Sequence, residues 1–211
     1  MRLYRFASQF LWYHGWWVSV FEFEHFGLES PILLDGNSTL RFDLELSRSF
    51  QGAGDIGSLT HHCQTYIHDN WHGFAPPGSC TIIPLPEGVR GPNKNPWHTT
   101  SLAILPTMHT PENVSWHKDL VYNAMWTLLV EIQRWNQSAG VGKDEVYEIT
   151  SSSIRTVLMT GLGTGQGGIS AKRCAQQMVL AVKHFQQGLP INIGWEDVRQ
   201  RNADIERTME L

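Results

Sequence analysis

The strongest hydrophobic pattern lies in residues 115–136. Apolar side chains at Trp116, Leu120, Val121, Ala124, Met125, Leu128, Ile132 and Trp135 trace one broad stripe at helical spacing. Ser115, with Asp119 close behind, supplies a starting signal, so the pattern predicts a helix over 115–136. Leu59, Cys63, Tyr66, Ile67, Trp71 and Phe74 repeat that spacing after Ser58 and predict a helix over 58–72, ended by Pro76 and Pro77. Phe42, Leu46 and Phe50 fit a short helix. Ser170 caps a further one whose expected face is Cys174, Ala175, Met178, Val182 and Phe185, and a polar helix over 195–209 follows Gly188 and Pro190. Apolar runs of strand length stand at 79–85, 101–105 and 154–159. A glycine-rich break (51–57), a surface loop (86–97) and a polar linker (140–153) separate the elements. Residues 10–26 are dense in aromatic strand formers and read either as a strand or hairpin or as an aromatic segment outside the core. Strands alternating with helices predict an α/β fold with a mostly parallel sheet covered on both faces.

Residues 159–170, MTGLGTGQGGIS, join the third strand to the helix that starts at Ser170. Glycines there can adopt positive φ and bring backbone N–H groups against a ligand, and the helix start adds unpaired donors and partial positive charge. An anion, and above all a phosphate or diphosphate, is the expected occupant. No Lys-Ser/Thr pair follows, which excludes a nucleoside-triphosphate loop, and no acid stands at a strand end about 20 residues on, as a dinucleotide fold requires. A purely structural turn is the competing reading. Lys172 and Arg173 in the first helical turn oppose the helix dipole unless an anion is bound, which favours binding.

Composition narrows the partners. Nine tryptophans and 41% hydrophobic residues in 211 suit a globular chain, and the net charge of -4 gives no footprint for nucleic acid. Cys63, Cys80 and Cys174 are too few and scattered for a disulfide framework and suit a reducing compartment, so a cytoplasmic or nuclear location is expected. The sequons at Asn37, Asn113 and Asn136 matter only in a secreted protein. Residues 1–26 loosely resemble a signal peptide, but His14, Gly15, Glu22 and Glu24 interrupt them, and they are too broken to span a bilayer; no membrane partner is expected. His61, His68 and His72 share a helical stripe, and the pair 68 and 72 has the spacing of zinc ligands. Without an accompanying acid, a solvated helix face is the preferred reading, and neither metal nor cofactor is expected. Asp35, Asp43, Asp55 and Glu112 are isolated acids that read as caps or surface groups.

With these elements in place, residues 42–185 resemble macrodomains, the ADP-ribose-binding α/β modules, and in particular a fungal macrodomain-like branch. The likeness is carried by residues 42–48 (FDLELSR), 71–80 (WHGFAPPGSC), 105–108 (LPTM) and above all 157–170 (VLMTGLGTGQGGIS). It implies a three-layer fold, a mixed, mostly parallel sheet between helices, with residues 1–40 as a divergent aromatic N-terminal segment and 41–211 as the macrodomain-like part of a single domain. The implied ligand is ADP-ribose or a related nucleotide diphosphate, free or on an ADP-ribosylated protein. The implied site residues are Thr160, Gly161, Leu162, Gly163, Thr164, Gly165, Gln166, Gly167, Gly168 and Ser170, with Asp43 as the acid after an earlier loop and Asn37 as a loose counterpart of the family's asparagine. The chain departs from the family where Leu40 and Arg41 replace paired glycines. Side chains there obstruct close backbone approach to phosphate, although Arg41 offers a charged donor instead. The machinery that places a hydrolytic water is not clearly matched, so binding is expected ahead of ADP-ribosyl hydrolysis, with an interaction module that has lost the site as the alternative.

Overall fold

The computed structural model describes residues 20–22, 58–86, 99–109, 112–139 and 153–209. In chain order these form strand β1 (Val20–Glu22), helix α1 (Ser58–Trp71), strands β2 (Thr81–Pro84) and β3 (Ser101–Ile104), helix α2 (Leu120–Ala139), strand β4 (Val157–Met159) and helices α3 (Ala171–Gln187) and α4 (Trp195–Glu206). The mixed α/β class expected from the sequence is what these elements form. The predicted short helix at 42–50 and the loops at 86–97 and 140–153 lie largely or wholly outside the described residues, as do Asn37, Leu40, Arg41 and Asp43.

The four strands lie in the order β2-β3-β1-β4. All three neighbouring pairs are antiparallel, which corrects the expected mostly parallel sheet. The cause is β1. Val20 pairs with Ala103 on one side and Met159 on the other, so this early strand lies between β3 and β4 and runs against both. β3 and β4 therefore do run parallel to each other, as two strands joined through a helix should, but they are not neighbours. A pattern of alternating elements gives the relative direction of β3 and β4. It gives no warning of a strand inserted from far upstream.

α2 packs against α3 and β2, and the core lies among them. Leu105, Val121, Ala124 and Leu128 are at most 1% exposed, and each fully buried Leu or Val contributes on the order of 1.5–3 kcal/mol. α2 begins at Leu120 rather than near Ser115. Ser115 does not cap it: its backbone N–H (2.9 Å) and hydroxyl (2.6 Å) both donate to Asn113 Oδ1. The first helical bond runs instead from Asn123 N–H to the Asp119 carbonyl at 2.8 Å. Trp116 consequently leaves the predicted stripe and is 70% exposed.

α3 begins as expected, with Arg173 N–H donating to Ser170 Oγ at 3.2 Å. Its buried apolar residues are Cys174, Met178 and Ala181, while Ala175, Val182 and Phe185 are only half-buried. Beside that stripe runs a buried polar one, Arg173, Gln177 and His184, absent from the expected face. Gln177 binds three groups of the surrounding chain: its amide donates to the Lys118 carbonyl (2.6 Å) and to Thr208 Oγ1 (2.9 Å), and its oxygen accepts from Tyr122 N–H (3.3 Å). The chain entering β4 is fixed by another side chain, since Asn136 donates to the Ile154 carbonyl (2.9 Å) and accepts from Ile154 N–H (2.6 Å). Among the described residues no helix is long and apolar enough to cross a membrane.

Candidate functional site

Residues 160–170 leave the carboxyl end of β4 and deliver the chain to the N-terminus of α3, the strand–loop–helix arrangement expected of them. The loop folds on its own amides. Thr164 N–H approaches the Gly161 carbonyl (3.5 Å), Gly168 N–H donates to the Gly165 carbonyl (3.0 Å), and Ile169 N–H donates to the Gly163 carbonyl (3.0 Å). Thr164 Oγ1 also donates to the Gly161 carbonyl at 3.0 Å. Two apolar side chains seat the loop in the core: Leu162 is 1% and Ile169 2% exposed.

These contacts explain most of the glycines without a ligand. Gly163 and Gly168 have φ of 66° and 68°, a region that side chains disfavour. A Cβ on Gly167 would lie 2.6 Å from the Gly163 carbonyl oxygen, and one on Gly168 would lie 2.7 Å from Asn113 Nδ2. Asn113 and Val114, whose Cγ2 would lie 3.0 Å from a Cβ on Gly167, open a strip, residues 113–117, tied to the loop by Val114 N–H donating to the Gly167 carbonyl at 2.9 Å. It carries the exposed Trp116, whose indole N–H donates to the Asn113 carbonyl (3.0 Å) and whose ring lies 5.3 Å from that of His117. No local signal joined this strip to the loop, because the residues in contact, Val114 with Gly167 and Asn113 with Gly168, are more than 50 apart in sequence.

The structure thus brings Thr160, Gly161, Leu162, Gly163, Thr164, Gly165, Gln166, Gly167, Gly168 and Ser170 together as one loop, while Asn37 and Asp43 lie outside the described residues. Gln166, Gly168 and Ser170 are exposed on it. Thr160 is buried, and its hydroxyl has no hydrogen-bond partner among the described residues. At the start of α3, Ala171 and Lys172 are exposed, and helix geometry leaves their amides without an intrahelical acceptor.

Arg173 does not serve as expected. Its guanidinium turns back from the helix start, where NH1 donates to the Ser115 carbonyl (2.6 Å) and NH2 to the carbonyls of His117 and Lys118. Burial disfavours its charge and the nearby Asp119 carboxylate supports it. The Arg173 charge that suggested an anion is therefore satisfied by the chain before α2, while the exposed Lys172 has no ion pair among the described residues.

The histidines of α1 are spread apart. His68 Nδ1 lies 3.1 Å from Asp69 Oδ1, His62 Nε2 lies 2.9 Å from the Pro84 carbonyl, and His72 falls beyond the last helical residue with φ of 51°. The break at His72 removes the i, i+4 geometry of the pair 68 and 72. Among the described residues no three His, Cys, Asp or Glu side chains are grouped to hold a metal. The cysteines are free and buried; burial pushes the Cys63 and Cys80 thiols up to about 12 and that of Cys174 to about 11. No family model, curated protein or solved structure matches this chain.

Proposed function

We propose that this chain is a macrodomain-like module that binds a nucleotide diphosphate, with ADP-ribose or an ADP-ribosylated protein as ligand, at the start of α3. The observation that carries the reading is the passage from β4 through the glycine loop into a 17-residue helix whose exposed first residues include Lys172. Helix N-termini of this kind favour phosphate oxygens through amide donors and the helix dipole. The exposed Trp116 beside the loop offers an aromatic face for the nucleotide. The loop contains no carboxylate or imidazole to activate water, which supports binding rather than hydrolysis. Three free cysteines agree with a reducing, cytoplasmic or nuclear setting.

Calorimetric titration with ADP-ribose tests the proposal. The wild type is expected to bind, Lys172→Glu to bind at least about tenfold more weakly, equivalent to about 1.4 kcal/mol, and Trp116→Ala to lose part of the affinity. An absence of binding heat in the folded wild type at millimolar ligand overturns it. The second reading, an interaction module that keeps the fold without the ligand, is favoured by the glycines at 163, 167 and 168, whose space is taken by the protein's own atoms. That reading predicts the absence of binding.

A further inference from the structure

His184 lies at the junction of three helices, away from the glycine loop. Its Nδ1 is 3.0 Å from the Tyr122 hydroxyl of α2, and its Nε2 is 3.3 Å from Asp204 Oδ2 of α4. Asp204 can only accept as a carboxylate, so neutral His184 donates from Nε2 and accepts the Tyr122 proton at Nδ1. Arg201 of α4 holds its guanidinium carbon 4.7 Å above the Trp126 ring, which in turn stacks on Tyr122. The junction is thus complete with one proton on the imidazole. A second proton puts Nδ1–H against the Tyr122 oxygen, so the tyrosine proton loses its acceptor, and the guanidinium nearby has none to offer.

Among the described residues, and apart from Arg201 over Trp126, α4 has few other anchors. Ile205 is its buried apolar residue, whereas Trp195 and Val198 are exposed. Beyond it, Gln177 reaches Thr208 at 2.9 Å, and Lys118 and Glu206 make an exposed ion pair at 3.4 Å of the kind that contributes little.

We infer that α4 is an acid-released clamp: it docks on α2 and α3 through neutral His184 and comes away when that imidazole takes up a second proton. Among the described residues the imidazole contacts Tyr122 from α2 and Asp204 from α4, and the charges of Arg201 on α4 and of the exposed Lys183 on its own helix also act on it. Burial, Arg201 and Lys183 oppose the imidazolium and Asp204 favours it, the balance lying below the ordinary histidine range. A base whose proton affinity is lowered on docking takes up its proton more readily when undocked. The docked state is therefore fully favoured above the ordinary histidine pKa and loses ground as pH falls below it.

Hydrogen exchange read by mass spectrometry, at about pH 7.5 and about pH 5 and corrected for intrinsic rates, tests this on the full chain. Amides of α4 are expected to lose protection at the lower pH while those of α2 keep theirs. Arg201→Gln, which removes a positive charge that opposes the imidazolium, and His184→Gln, which cannot titrate, are both expected to suppress the acid response. Equal α4 protection at the two pH values in the wild type overturns the inference, as does an unchanged response in Arg201→Gln. Should His184→Gln leave α4 unprotected at both pH values, the Arg201→Gln comparison decides.

Discussion

Replacing Arg173 by Met separates two roles for a residue that the sequence places at a phosphate-type helix start. In the structure its guanidinium donates to the carbonyls of Ser115, His117 and Lys118, and the side chain is 7% exposed. Methionine fills much of the volume but leaves those carbonyls without their donor. A hydrogen bond to a charged group contributes about 1.5–3 kcal/mol, but the bonds share one group and the freed carbonyls partly rehydrate, so a loss of about 3 kcal/mol is expected rather than the sum. For a chain of this size that corresponds to a fall of roughly 6–12 °C in Tm. Differential scanning calorimetry or urea unfolding reads it directly. Arg173→Lys should recover only a fraction, since an ammonium cannot fork across several carbonyls. A variant that melts within about 2 °C of wild type refutes the structural role. If it also lost ADP-ribose affinity, Arg173 would be an anion ligand after all.

The glycines give a graded series. Gly188 has φ of 67° with open space around it, so Gly188→Ala should cost about 1 kcal/mol; Gly163→Ala adds a contact of 2.9 Å with Ile169 to a φ of 66° and should cost about 2–3 kcal/mol in the same unfolding assay. The three cysteines, buried and with raised thiol pKa values, should resist a thiol-exchange reagent at about pH 8 in the native protein and all react once it is denatured. Rapid labelling of the native protein would contradict their burial.

Much of the fold was legible locally. Apolar spacing located α1, α2 and α3, short apolar runs located β2, β3 and β4, and Ser170 was a cap because a hydroxyl one residue before a helix reaches its first turn. The glycine loop was legible as a strand-to-helix passage, and two of its glycines do need positive φ. These features depend on neighbours within a few residues, which is the range over which a sequence pattern speaks.

Tertiary structure decided the rest. Whether β1 joined the sheet, and in which direction, depended on pairing with β3 and β4 about 80 and 140 residues away; an apolar strand carries no label for its partner. Arg173 read as a surplus charge at a helix start because its acceptors lie 55 to 58 residues earlier in sequence. The same holds for Gln177, buried against Lys118, Tyr122 and Thr208, and for His184, buried against Tyr122 and Asp204 on other helices. The sequence by itself determined where the elements form and that the loop needs glycine. Only the folded chain decided what the loop's glycines lie against, since crowding by Asn113 and Val114 arises from a strip that local pattern cannot bring near.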